Sequence, residues 1–264
     1  MAFTSTQAPQ IYYEVHGDGP AVVLAHGAEG NTLSWFQQVP VFAKKYRTLL
    51  YDHRGFGRSA CAPDELQPAQ FGRDLLAVMD ASGVERAAVV AQSMAGWSAI
   101  QAALAAPERI EAIVLAATSG GLVAPGGDGD AGERDDRPLA GRLSQLALAP
   151  GFSDRRPELA FLFDQVSLLN GNIELLASRL GLPENLIDPQ DLSGYQIPTL
   201  VMGCEHDTFF PQTTMRRVAD VIPGAEYIEI EHAGHAPYWE VPGAFNEIVL
   251  SFLAKNGDEA RSGL

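Results

Sequence analysis

The stretch VVAQSMAGW, Val89 to Trp97, begins as a β-branched apolar run, passes through one serine and continues in small residues that suit a helix. A strand that turns sharply into a helix pushes the residue at the turn out above the sheet. That strained backbone is tolerated only when the residues two before and two after are very small. Ala91 and Ala95 meet this condition around Ser93. The turn predicts a Ser93 hydroxyl at the carboxyl ends of the strands, where open α/β sheets place their ligands, with a helix N-terminus behind it that favours developing negative charge. A serine that only caps a helix would give the same local pattern, so the rest of the chain has to decide.

Working outward, short apolar runs recur with helical patterns between them. AVVLA (21–25), RTLLYD (47–52), RAAVVAQ (86–92), IEAIVLAA (110–117) and PTLVMG (198–203) read as strands buried on both faces. Phe71, Leu75, Val78 and Met79 make a helical stripe that stops before Gly83, residues 95–106 form an alanine-rich helix ended by Pro107, and Phe245, Ile248, Val249, Phe252 and Leu253 make a last stripe. IYYEV (11–15) and YIEIE (227–231) alternate, which suits half-exposed strands near sheet edges. Alternating βα units of this kind predict a parallel sheet with helices on both faces.

From residue 121 to about 192 no clear strand is legible. The segment GGDGDAGERDDRP (126–138) leads into helical patterns rich in Leu, Phe and Ala. We expect an inserted helical cap over 121–192, with residues 1–120 and 193–264 forming one core. Asp128, Asp130 and Gly132 have calcium-loop spacing, but Leu139 stands where the closing bidentate Glu would be needed, so a solvated loop is expected and no metal site.

The chain has 264 residues, enough for one large α/β domain with an insertion. Its net charge is −15, and no basic cluster exceeds the Lys44-Lys45 pair, which argues against nucleic acid and anionic membrane as partners. The start MAFTSTQAPQ has neither a basic nor an apolar signal region and no stretch is long enough to span a bilayer, so a cytoplasmic protein is expected. Cys61 and Cys204 have neither a disulfide framework nor metal spacing.

A serine nucleophile needs a base, and the base needs an acid to fix its tautomer. Of six histidines, His235 in EHAGHAPYWEVP follows the 227–231 strand and precedes the last helix, on a loop at the carboxyl edge. Asp207 in GCEHD follows the PTLVMG strand, and one helix (about 211–221) and one strand separate it from His235, so the two loops are expected side by side. His206 and Glu205 are competitors for base and acid. The strand after the serine helix ends in Ala117-Thr118-Ser119 and offers no carboxylate. His26 and His53 are expected to hydrogen-bond structurally, and His232 to be exposed.

The order Ser93, Asp207, His235 resembles that of the α/β-hydrolase superfamily. The resemblance runs from about residue 11 to 253. It includes His26-Gly27, D-x-R-G-x-G-x-S (Asp52, Arg54, Gly55, Gly57, Ser59), the serine turn, G-x-x-x-D ending in Asp207, and G-H-x-P-x-x-E-x-P (Gly234, His235, Pro237, Glu240, Pro242). The turn departs from the family in having alanines where glycines are usual. Ala236 stands where carbon–carbon hydrolases of this family commonly carry tryptophan.

The resemblance implies an α/β-hydrolase fold with a mostly parallel eight-stranded sheet and a helical cap. It further implies a catalytic triad of Ser93, Asp207 and His235, and an oxyanion hole from the backbone amides of Ala28 and Met94. Glu29, Asn31 and Trp35 follow the oxyanion loop and are candidates for facing a substrate pocket, plain solvent exposure being the alternative for Glu29. Phe161, Phe163 and Trp239 are further candidates. The activity implied is that of a cofactor-free serine esterase or lactonase acting on a small-molecule ester or lactone as monomer or homodimer, similar to capped bacterial esterases and 3-oxoadipate enol-lactonases. A carbon–carbon hydrolase, a cofactor-free oxygenase and a non-catalytic small-molecule receptor remain open on the same scaffold.

Overall fold

The computed structural model describes residues 2–4, 9–122, 143–171 and 173–262. The acidic segment 126–138 and the calcium-like spacing that ends at Leu139 lie outside them. The strands are β1 (Ala2–Phe3), β2 (Tyr12–His16), β3 (Ala21–Ala25), β4 (Arg47–Tyr51), β5 (Ala87–Gln92), β6 (Ile110–Ala116), β7 (Thr199–Cys204) and β8 (Glu226–Ile230). They form one eight-stranded sheet in the order β1-β2-β4-β3-β5-β6-β7-β8. β2 pairs antiparallel with both β1 and β4, and all the remaining neighbours pair parallel. The alternating segments 11–15 and 227–231 thus belong to β2, one strand in from an edge, and β8, at the other edge. β1 is a two-residue strand too short to carry a pattern.

Side-chain parity builds two cores. Successive residues of a strand point to opposite faces. Val22, Leu24, Ala88, Val90, Ala112 and Val114 enter one apolar cluster, while Val23, Ala25, Ala87, Val89, Ile113 and Leu115 enter the other. Both clusters are sealed by helices, so the central strands need apolar residues at every position, which is why they read as unbroken hydrophobic runs.

The helices are α1 (Val39–Phe42), α2 (Phe71–Ala81), α3 (Ala95–Ala105), α4 (Leu143–Ala147), α5 (Phe152–Arg155), α6 (Pro157–Leu168), α7 (Ile173–Leu180), α8 (Gln212–Val221), α9 (Pro237–Glu240) and α10 (Pro242–Ser262). α2, α3 and α8 send Leu75, Val78, Ala99, Ile100, Met215 and Val218 into the second cluster; α1 and α10 send Phe42, Phe245 and Val249 into the first. α4 to α7 form a helical insertion between β6 and β7.

The chain leaves β3 toward β4 and then crosses back to β5, so strand order reverses between β3 and β5. Loops leaving two such strands diverge and open a crevice at their carboxyl ends. That crevice lies beneath the insertion.

Candidate active site

Ser93 follows directly on β5 with φ +51°, a left-handed backbone that a non-glycine residue adopts only under strain of about 1–3 kcal/mol. The surroundings hold it there. Its amide donates to Ala116 O at 3.0 Å, and Ala91 and Ala95 are wholly buried on either side. Two alanines therefore suffice for this turn. The glycine needed for close packing comes one residue later, at Gly96, where a Cβ would collide with Thr118 Oγ1. Across the crevice, a Cβ on Gly27 would collide with Gln92 Oε1 and with Ser93 Cβ.

His235 and Asp207 reach the serine from the loops after β8 and β7. His235 Nε2 lies 2.7 Å from Ser93 Oγ, and Nδ1 lies 3.0 Å from Asp207 Oδ2. The carboxylate accepts from Nδ1–H, which leaves Nε2 free to accept from the serine hydroxyl. Asp207 is fixed by its other oxygen, which accepts the amides of Phe209 at 2.8 Å and Phe210 at 3.0 Å. The His235 ring is stacked against Phe210 and tilted against Phe209. Its backbone is clamped as well, since its amide donates to Ala147 O at 2.6 Å and its carbonyl accepts from Gln92 Nε2 at 2.8 Å. Burial pushes the imidazole pKa down, but the charge and hydrogen bond of Asp207, with Glu29 and Glu240 beyond, outweigh it and lift the ring above its ordinary value.

Among the described residues, the amides of Ala28 and Met94 donate to no protein acceptor, and both residues border the same cavity as Ser93. Two free amides beside a hydroxyl within reach of an imidazole can stabilise an oxyanion while a proton moves from oxygen to nitrogen. The loop carrying Ala28 is held by hydrogen bonds. His26 Nδ1 bonds Gly27 O at 2.7 Å while Nε2 accepts the amide of His53 at 3.0 Å. His53 corrects the expectation of a structural hydrogen bond: its ring nitrogens have no partner among the described residues, and the ring packs against Tyr51, His26 and Phe71. His206, the competing base, sits half-exposed beside Glu205, and the His232 side chain is 80% exposed.

The cavity holds about 400 Å³ and is walled by Trp97, Leu186, Phe209, Phe210 and the α7 residues Ile173, Leu176, Ala177 and Leu180. Of the six residues expected in a substrate pocket, the structure places Glu29 at this cavity, 4% exposed, and the other five elsewhere. Asn31 caps the turn Thr32–Trp35 and donates to Val166 O. Trp35 is core, packed on Tyr238 and Phe245. Phe163 packs edge-on against Trp239, whose indole donates to Leu159 O, and Phe161 is 64% exposed. Phe161 and Phe163 lie about 200° apart on α6, so one packs inward and the other faces out. The actual wall carries the i, i+3, i+4, i+7 signature at 173, 176, 177 and 180, a pattern visible in the sequence.

The chain has relatives. RutD of Caulobacter sp. (strain K31), named "Putative carbamate hydrolase RutD", is 32% identical, over 92% of this chain and 96% of its own length. A 2-hydroxy-6-oxo-6-phenylhexa-2,4-dienoate hydrolase of Burkholderia cepacia is 30% identical, over 93% and 91%. The solved structure of Est816, an N-acyl homoserine lactone degrading enzyme, superposes with a TM-score of 0.80 at 29% identity, over 95% of this chain and 100% of that one. Residues 20–242, from β3 to the start of the last helix, match the alpha/beta hydrolase fold family, and the chain belongs to it.

Proposed function

We propose that this hydrolase cleaves a carboxylic ester or lactone of small to medium, largely apolar structure through an acyl-enzyme on Ser93. The observation that carries the reading is the 2.7 Å contact between Ser93 Oγ and His235 Nε2 at the mouth of an apolar cavity flanked by two free amides. Ser93 Oγ attacks the carbonyl carbon while His235 Nε2 takes the hydroxyl proton. The amides of Ala28 and Met94 hold the resulting oxyanion, and Asp207 steadies the imidazolium. The imidazolium gives its proton to the departing alkoxide. Water, deprotonated by the same histidine, then releases the acid and restores the serine.

The wall of Ile173, Leu176, Leu180 and Phe210 suits an acyl chain. The lactone-degrading structural relative is in keeping with the ester and lactone class.

A fluorophosphonate probe followed by intact mass and peptide mapping tests the nucleophile, with Ser93→Ala as control. One adduct on Ser93, with turnover of p-nitrophenyl esters and acyl lactones exceeding that of carbamates and dienoates, is the expected result. Absence of an adduct in the folded protein overturns the nucleophile. Faster turnover of carbamates or dienoates overturns the ester and lactone class.

A further inference from the structure

After β6 the chain turns through left-handed backbone in quick succession, at Ala117 with φ +52°, Gly120 with +63° and Gly121 with +84°. Ala117 carries the same strain as Ser93 on the neighbouring strand, and no catalytic role accounts for it. The turn is locked from several sides. The Ala117 amide donates to Met202 O at 3.0 Å, Thr118 Oγ1 accepts the Gly120 amide at 3.0 Å, and the Leu122 amide donates to Ser119 O at 3.1 Å. A Cβ on Gly121 would lie 2.7 Å from the indole nitrogen of Trp97, so glycine is needed for the turn to pack on that ring. The residue this turn presents to the cavity is Ser119, which is partly exposed.

The wall around Ser119 is apolar. The indole N–H of Trp97 is committed to Asn185 O at 2.9 Å, and Glu29 is buried at the cavity edge. Ser119 Oγ accepts the Gly121 amide at 3.3 Å, while its own proton has no acceptor among the described residues. Outside the Ser93 and His235 pair, it is the one lining hydroxyl among the described residues. Apolar pockets use a few such placed polar groups to fix a ligand's position. Water can serve the hydroxyl while the pocket is open, but an alkyl chain laid over it would strip that water and return no bond. A chain oxygen at the matching place would return one.

We infer that Ser119 is a specificity-determining residue that donates its hydroxyl proton to an oxygen within the substrate's acyl chain. It admits chains with an ether or keto oxygen at one matching position, which the apolar wall alone would disfavour. This rests on the ester and lactone reading above. One neutral hydrogen bond to a partly exposed hydroxyl corresponds to about fivefold in kcat/KM.

The test uses ethyl hexanoate and its three oxa analogues, ethyl propoxyacetate, ethyl 3-ethoxypropanoate and ethyl 4-methoxybutanoate, in which an ether oxygen replaces successive methylenes at almost unchanged size. Intrinsic reactivities cancel when each kcat/KM is taken relative to hexanoate and compared between variants. Ser119→Ala is expected to lower one oxa ratio about fivefold and leave the other two within twofold. Ser119→Thr, which keeps the hydroxyl, is expected to hold that ratio. A merely structural role, bracing Gly121, would lower all four rates together and leave the ratios unmoved, which overturns the proposal, as does an equal fall in Ser119→Thr. Wild-type protein in which the three oxa esters, each corrected for its alkaline hydrolysis rate, trail hexanoate by one common factor overturns it without any variant. If none of the four is hydrolysed while Ser93 still takes up a fluorophosphonate, the ester reading fails instead. Ser119 is then tested by protection of Ser93 from labelling, where equal protection by the amides of the three oxa acids overturns its role.

Discussion

Glu240 Oε2 accepts the backbone amide of Ala149 at 2.6 Å, while Oε1 of the same side chain accepts the amide of Gly234, beside His235, at 2.8 Å. One carboxyl group thus pins the histidine loop to the insertion. Burial lifts its pKa to about 7 against the bonds from Ala149, Gly234 and Ala236.

Glu240→Ala orphans both amides. It is expected to cost about 2–4 kcal/mol of stability and to lower kcat at least tenfold, measured by denaturant unfolding and steady-state kinetics. The pH dependence has a definite sign. Between the ordinary 4.5 and about 7 the folded protein holds a proton on Glu240 that the unfolded chain has released. Its contribution is therefore full below pH 4.5 and falls by up to about 3 kcal/mol as pH rises through 7. The variant's stability profile should be flatter over that window; an unchanged slope would show that Glu240 does not titrate there.

His235 must be neutral to act as a base, and its pKa lies above the ordinary 6.5. The acid limb of kcat/KM is expected to have its midpoint above that value, activity being lost as pH falls through it. Asp207→Asn removes the charge that lifts the ring, so the midpoint should move down while the rate falls about 10⁴-fold through loss of the correct tautomer. A pH–rate profile of both proteins checks this, and an unmoved midpoint would assign the limb to another group.

Leu176 is wholly buried and faces the cavity, whereas Phe161 lies on the outer side of the insertion. Leu176→Ala is expected to shift the best p-nitrophenyl ester toward longer acyl chains by two or so carbons, at a stability cost of about 2–3 kcal/mol. Phe161→Ser should change stability by less than about 0.5 kcal/mol and leave the chain-length profile as it was. A shifted profile in the second variant would put Phe161 at the pocket after all.

Asn170, just past α6, donates to Gly30 O at 2.9 Å and accepts from Gly57 N at 3.1 Å. It ties the insertion to the loop that carries Ala28. Asn170→Ala is expected to cost about 1–2 kcal/mol and to lower kcat several-fold with little change in KM, because a looser oxyanion loop weakens transition-state contacts more than ground-state ones. A rise in KM alone would show that the tie shapes the pocket instead.

The local features of this protein are legible because their causes are local. The strained Ser93 turn needs small neighbours two residues away, and Ala91 and Ala95 are readable as such. Doubly covered strands need unbroken apolar runs, and 21–25, 87–92 and 110–116 show them. The juxtaposition of Asp207 and His235 was readable too, because one helix separates two adjacent parallel strands, β7 and β8.

The cavity wall was not legible by the same means. Phe161, Phe163, Trp35 and Trp239 are large and apolar, and composition alone cannot distinguish a core aromatic from a lining one. Which face a helix of the insertion turns toward Ser93 depends on contacts many residues distant, such as Trp239 Nε1 to Leu159 O and Asn31 to Val166 O. Those contacts rotate α6 onto the core and leave α7 to line the cavity.

The sequence by itself determined the strand order's raw material, the serine turn, and the aspartate and histidine that meet it. The tertiary structure alone decided that Glu29 is buried at the edge of the cavity, that Glu240 joins the histidine loop to the insertion, and that α7 supplies the wall. The physical reason is range. Backbone strain and strand parity act over a few residues, whereas burial and helix rotation are set by whichever distant surfaces the folded chain brings into contact.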